Sequence, residues 1–253
     1  MDKWKISLLI AAFFLPPGTH AATCTVEGSI IQNTGNLIPY NITSGPQKNV
    51  TNYIACVAQA NQWNLRTDYQ INLLKNAPTN PFGAWTLMYF KGDLTVGVFG
   101  YSALNKFISP SDHLYCSQRS TSGCWFSIDA GRAGLDGIYP YNFFWIDASD
   151  GVIGYAEYDR GYGNVVQWIA PADGQYSLFG SLRMFQSCGS GNDFRVLAGG
   201  GLLASGHLNP GAGPTDISNA KISLKRGDSI YVLTKPVVNY PCQEVVFDLT
   251  VRR

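Results

Sequence analysis

The sequence predicts an all-β chain, an antiparallel β-sandwich carrying a small N-terminal extension. Short runs of alternating apolar and polar residues are separated by Gly, Pro, Asn and Asp, the pattern of strands with one buried face. Signals for amphipathic helices are nearly absent. Only 14% of residues are charged, while Gly (27), Tyr (14) and Phe (13) are plentiful. Intrinsic disorder needs few aromatics and a strong net charge, so that class is excluded. A chain of 253 residues with 45% hydrophobic content holds enough for one large core or two small ones.

Taken in order, residues 1–21 read as a secretory signal peptide. Lys3 and Lys5 give the positive start, Ile6–Leu15 the apolar run, and Pro16-Pro17-Gly18 its break. Thr19 and Ala21 are small residues at the two positions a signal peptidase reads. The run is too short for a permanent membrane anchor. Lipidation at Cys24 is the alternative, but Thr23 fits poorly before a lipidated cysteine. The expected location is therefore secreted or periplasmic. Without Lys3, Lys5 and Asp2, the 18 cations and 17 anions become equal in number. A neutral chain argues against nucleic acid or an anionic membrane as partner, since both reward a basic surface.

Residues 22–65 form an N-terminal segment with a strand-like Thr25–Gln32 and a helical turn near Asn52–Gln62. It is too short for a core of its own and is expected to pack on the main body, residues 66–253. Trp85–Phe90 and Leu94–Tyr101 read as strands around Lys91-Gly92-Asp93. Residues 104–142 read as long loops pinned by a small cysteine ring. In Gln175–Phe185, Tyr176, Leu178, Gly180, Leu182 and Met184 share one face. Phe194–Ala198 and Leu202–Leu208 flank Gly199-Gly200-Gly201 as a hairpin, and Lys221–Leu224 and Ser229–Leu233 flank Arg226-Gly227-Asp228 as another. At the C-terminus, Val245, Phe247, Leu249 and Val251 alternate with Glu244, Asp248, Thr250 and Arg252.

The six cysteines are Cys24, Cys56, Cys116, Cys124, Cys188 and Cys242, an even count that points to disulfides in an exported chain. Order along the chain favours Cys24–Cys56, Cys116–Cys124 and Cys188–Cys242. No C-x-x-C occurs, and only His113 and His207 remain after the leader, so a zinc site is not expected.

The stretch Val165–Tyr176 reads VVQWIAPADGQY. It resembles the W-x-A-P-x-x-G-x-Y strand-turn-strand of a bacterial exported jelly-roll domain. Asn80-Pro81-Phe82-Gly83-Ala84-Trp85 is similar to the N-P-x-G-x-W opening of such domains. Leu202–Gly206, Leu224–Ile230 and Val246–Leu249 follow in the matching order. The resemblance covers about residues 66–253 and implies a jelly-roll sandwich akin to galactose-binding-like folds and carbohydrate-binding modules. It brings no catalytic residue. The residues also explain the motif unaided: Trp168 and Tyr176 as core anchors, Pro171 ending a strand, Gly174 easing the turn.

Glycan binding needs aromatic faces for sugar rings and amides or carboxylates for hydroxyls. Trp125, Tyr141, Trp145 and Asp147 are the candidate contacts, drawn from Ile138–Asp147 and the residue after Cys124. The same aromatics serve equally as core. No cofactor is expected. Calcium is the one ion with candidate ligands, Asp147, Asp150 and Asp159, although the full loop signature is missing. Catalysis has weaker support. Asp147, Glu157 and Asp159 offer carboxylates, and Ser111-Asp112-His113 and Ser205-Gly206-His207 lack a nucleophile elbow. Asn41-Ile42-Thr43 and Asn49-Val50-Thr51 are glycosylation sequons. The expected function is a non-catalytic module that binds a cell-surface or matrix glycan. A structural envelope or assembly protein that binds a surface protein is the alternative, and a glycoside hydrolase comes third.

Overall fold

The structure, a computed structural model, describes residues 61–253 except 75–77, 95–99, 110–115, 117–119, 121–122, 128–130, 135–136, 148–149 and 239–241. It also gives the backbone of 30–33 and 36–39, and backbone alone for 131–134 and 137–140. The leader, Cys24, Cys56, His113 and both sequons lie outside the described residues.

Strands β1 (Ile30–Asn33) and β2 (Asn36–Pro39) form an antiparallel hairpin. Strand β3 (Gln62–Asn64) runs directly into helix α1 (Leu65–Leu73). The chain continues through β4 (Trp85–Lys91), β5 (Ser102–Ala103), β6 (Lys106–Ile108), β7 (Cys124–Phe126) and a hairpin of β8 (Gly131–Gly134) and β9 (Gly137–Pro140). Next come β10 (Asn142–Asp147), β11 (Gly151–Ala156), β12 (Tyr162–Ile169) and β13 (Gly174–Met184). The rest is β14 (Asn192–Ala198), β15 (Gly201–Leu208), β16 (Thr215–Asp216), β17 (Asn219–Leu224), β18 (Ser229–Pro236) and β19 (Val245–Arg252).

Two antiparallel sheets face each other. The nine-stranded sheet runs β16-β13-β19-β11-β10-β7-β6, with β17 also on β13 and β3 also on β19. The six-stranded sheet runs β15-β14-β18-β12-β4-β5. From β12 onward the chain crosses repeatedly between them, which makes the antiparallel sandwich of jelly-roll type that the sequence predicts. Period-2 alternation explains why each strand sits as it does. Tyr176, Leu178, Leu182 and Met184 of β13 and Val245, Phe247, Leu249 and Val251 of β19 line the main core. From the other sheet, Trp85, Val166, Trp168, Val196, Ile230 and Val232 meet them.

The motif around Trp168 makes one of the crossings. Trp168 packs edge-on against Tyr176 at 5.0 Å between centroids, and the Tyr176 hydroxyl donates to the Ala172 carbonyl at 2.6 Å. The hydroxyl thereby closes the turn that carries the chain from one sheet to the other.

Two expectations need correction. Arg226-Gly227-Asp228 is not the tip of a hairpin, because β17 pairs with β13 while β18 pairs with β12 and β14. The turn is a corner between sheets, tied to its neighbour by Gly227 N donating to Ala170 O and Arg226 N to Asp173 Oδ1. Residues 104–142 are more than loops, since β6 and β7 extend the nine-stranded sheet and β8 and β9 pair. Cys124, Trp125 and Phe126 are all buried, so β7 shows no alternation to read. The predicted helical turn near Asn52–Gln62 lies outside the described residues except at its end, where Gln62 is in strand β3, and helix α1 follows at Leu65–Leu73. Its start is capped by Asn64, whose Oδ1 accepts from Thr67 N at 2.9 Å. The predicted strand Leu94–Tyr101 mostly lies outside the described residues; Ser102–Ala103, just after it, pairs with β4.

Of the predicted disulfides, Cys116–Cys124 and Cys188–Cys242 are formed. The first lies in a second apolar cluster on the outer face of the nine-stranded sheet, with Phe126, Phe143, Trp145, Ile153 and Val246.

Candidate functional site

Strand β10 is buried on both faces. Phe144 and Ile146 point into the main core, whereas Phe143 and Trp145 enter the outer cluster. Trp145 is 1% exposed, stacked on Phe143 at 5.4 Å and edge-on to Phe185 at 6.0 Å. Trp125 is also 1% exposed, held in the main core against Tyr69 and Phe107. A ring that stacks on a sugar must show a face to solvent, and neither does; both Trp contacts are corrected to packing residues. Tyr141 is half-buried, with its ring stacked on Tyr162 at 5.6 Å and the Arg160 guanidinium 5.2 Å from its centroid. Asp147 caps the β10–β11 turn by accepting from Asp150 N at 3.0 Å. The four sequence candidates thus occupy separate places and do not converge on one opening.

An opening exists elsewhere, on the outer face of the six-stranded sheet. It is a cleft of about 550 Å³ lined by Asp93, Leu94, Tyr158, Arg195, Ser205 and Lys235, among others. Strand register builds it. Asp193 of β14 lies between His207 of β15 and Lys235 of β18, and Arg195 lies between Ser205 and Leu233. Their neighbours Phe194 and Val196 face the core, so alternation places Asp193 and Arg195 outward together. The turn after β4 supplies Asp93, and a 3₁₀ turn at Tyr158–Arg160 supplies Tyr158, which is 36% exposed.

The charges are arranged in pairs. Lys235 Nζ donates to Asp93 Oδ1 at 2.9 Å, and that contact together with the ammonium charge holds the Asp93 carboxyl below its ordinary range. His207 Nδ1 and Asp193 Oδ1 are 2.8 Å apart. Beyond Arg195 the face continues to Tyr101 and Tyr231, whose rings lie 5.2 Å apart. Gln167 Nε2 donates to the Tyr231 hydroxyl at 3.2 Å. Burial and the neighbouring Tyr231 raise the Tyr101 phenol above its ordinary value, against a smaller opposing effect of Arg195. Tyr101 is therefore a neutral donor at any physiological pH. The cleft offers an exposed aromatic ring, two carboxylates and two cationic side chains within one opening. Such a surface suits a polyhydroxylated ligand.

The calcium candidates do not assemble. Asp150 pairs with Arg183, Asp147 caps a turn, and Asp159 sits on the exposed 3₁₀ turn. Among the described residues no group of three His, Cys, Asp or Glu side chains is gathered to hold a metal ion. Asp147, Asp150 and Asp159 are therefore not one ligand set among the described residues. Among the described residues no serine hydrogen-bonds His207, whose partner is Asp193. No helix among the described residues is long and apolar enough to cross a membrane.

Sequence reasoning weighed Ser205 and His207 only as catalytic residues and missed the rest of the cleft. The outward alternation Asp193-Phe194-Arg195-Val196 was the available signal.

No protein-family model matches the chain, and no curated protein matches it. Among solved structures, the chain is similar to the C-terminal CBM6 of LamC, a marine laminarinase from Zobellia galactanivorans. The identity is 13% over 45% of this chain and 89% of that one, with a TM-score of 0.29. It is similar too to the CBM36-1 domain of a multidomain xylanase from the hindgut metagenome of Trinervitermes trinervoides. There the identity is 12% over 43% and 82%, with a TM-score of 0.28. A third is a carbohydrate-binding module CBM36 in complex with calcium and xylotriose, at 17% over 47% and 91%, with a TM-score of 0.26. Likeness at this level transfers no residue role.

Proposed function

We propose that the protein is an exported, non-catalytic module that binds a cell-surface or matrix glycan in the cleft of the six-stranded sheet. One observation carries this reading: the cleft places the partly exposed Tyr158 beside Asp93, Asp193, Arg195 and Lys235 on a rigid sheet. Tyr158 supplies an aromatic face for the apolar side of a sugar ring. The carboxylates accept from its hydroxyls, and Arg195 and Lys235 donate to them. Strand-borne polar groups are held in place by the ladder, which lowers the ordering cost of binding.

The test is a glycan-array screen of the mature protein followed by titration of any hit, with Tyr158→Ala and Asp193→Asn as cleft variants. Either variant should weaken binding by about ten-fold or more, the scale of one lost stacking or charge-assisted contact. Trp145→Ala, remote from the cleft, should weaken binding only as far as it unfolds the protein. An array without a hit at high protein concentration removes the reading. Binding indifferent to both cleft variants keeps the function and removes this site.

A further inference from the structure

We infer that the glycan taken by this cleft is acidic, with a sugar carboxylate seated on Arg195. The inference rests on the glycan-binding reading and deepens it. Its basis is a census of donors and acceptors in the cleft. Asp93 is engaged by Lys235 and Asp193 by His207, each through a direct contact shorter than 3 Å. Among the charged side chains of the cleft, that of Arg195 is the one with no hydrogen bond or ion pair to a described residue. Its five N–H donors are therefore not taken by protein acceptors, on a half-buried side chain that lines the opening.

The guanidinium nitrogens are not among the buried polar atoms, so a ligand entering the cleft meets a donor fork that no protein acceptor occupies. The planar fork presents two parallel N–H bonds. A carboxylate fills both at once, whereas a neutral hydroxyl accepts one. The neighbourhood also blocks an internal solution. The nearest carboxylate along β14 is Asp193, two residues away on the same face, and it is turned to His207. Across the strand pairs, Arg195 meets Ser205 and Leu233, which bring no charge. Tyr101 lies close enough for the guanidinium charge to act on its phenol, and the Tyr101 hydroxyl is itself buried with no hydrogen-bond partner. Tyr101 thus offers Arg195 no anionic partner, and Arg195 is the one of the two that lines the cleft. The uncharged part of the ring then falls toward Tyr158 and the paired carboxylates, which take hydroxyls. This arrangement selects a uronic-acid residue over the corresponding hexose.

The experiment is calorimetric titration of the mature protein with oligogalacturonate and oligoglucuronate, each beside its carboxyl-reduced neutral counterpart. One acidic series should bind at least about ten-fold more tightly than its reduced form, the worth of one charge-assisted bidentate contact. Arg195→Gln should remove that preference, and Arg195→Lys should restore only part of it, because the charge returns without the fork. Unchanged circular dichroism and thermal midpoints establish that both variants fold. Equal binding of acidic and reduced sugars overturns the inference and leaves the glycan reading standing. So does binding of neutral or sulfated, carboxyl-free oligosaccharides alone. An acid preference that survives in Arg195→Gln overturns the assignment to this residue. Absence of any glycan ligand overturns the earlier reading together with this one.

Discussion

Asp68 stands on helix α1 with its carboxyl in the main core, where Trp85 Nε1 donates to Oδ2 at 2.8 Å. Burial drives its pKa up from 3.8 to about 8, although the Trp85 bond pulls the other way. Desolvation wins because one neutral donor does not replace the hydration shell of an anion. The folded state therefore holds a proton on Asp68 that the unfolded chain has lost above about pH 4. The resulting stability is fully present below that pH and disappears as pH rises to about 8. Asp68→Asn keeps an acceptor for Trp85 and removes the titrating proton. Thermal midpoints of the wild type should fall from pH 5 to pH 8, and those of Asp68→Asn should fall distinctly less. Parallel slopes in the two proteins would show that another group governs the effect. Trp145 is a residue of the opposite kind, held by apolar packing against rings, aliphatic side chains and a disulfide. Replacing it by Ala should cost about 3–5 kcal/mol in denaturant unfolding, the usual loss for a buried large aromatic. A cost under about 1 kcal/mol would contradict its place in the outer cluster.

The two disulfides tie elements of different reach. Cys116–Cys124 closes a span of 8 residues over the outer cluster, and Cys188–Cys242 spans 54, joining the β13–β14 connection to the β18–β19 connection. Loop-closure entropy makes the first worth about 2–3 kcal/mol and the second about 4. Denaturant unfolding of the paired Cys→Ser variants should give that order, and the reverse order would mean that packing, not chain entropy, sets their value. Legibility in the sequence follows from how many faces an element buries. Strands β13 and β19 bury one face along most of their length, and their alternation could be read within about one residue of the observed ends. Strands β7 and β10 bury both faces, so their aromatics offered no pattern separating ligand contact from core. Helix α1 escaped notice because two of its buried residues, Asp68 and Asn72, are polar. Asn72 is buried to bracket Thr79, donating to its carbonyl and accepting from its N–H. The cleft was hidden for a third reason. The Lys235–Asp93 pair alone joins residues 142 positions apart, and only the strand order brings them together.

At the scale of the whole molecule, the core continues through the point where the sequence expected an attached segment to give way to the main body. Strand β3 extends the nine-stranded sheet through Thr250↔Asn64, Val251↔Trp63 and Arg252↔Gln62. Trp63 is buried at the centre of an aromatic group, edge-on to Trp168 at 5.1 Å and tilted on Tyr176 at 6.1 Å. Those two partners come from opposite sheets, so Trp63 joins both layers and the element that leads into α1. Its contacts therefore form only when the sheets are already face to face. In a molecule built this way, a defect at Trp63 cannot be confined to the N-terminal side. Trp63→Ala in the mature chain should lower the stability of the entire sandwich by about 3–5 kcal/mol, in one cooperative transition seen alike by tryptophan fluorescence and far-UV circular dichroism. The cleft lies on the outer face of the six-stranded sheet and does not include this aromatic group, so glycan affinity should be unchanged at temperatures where the variant is folded. A separate low-stability transition that leaves the main unfolding step in place would show instead that residues 61–65 are an appendage. Coincident probes with a shifted midpoint are the expected result, because every ring that Trp63 touches is itself part of the common core.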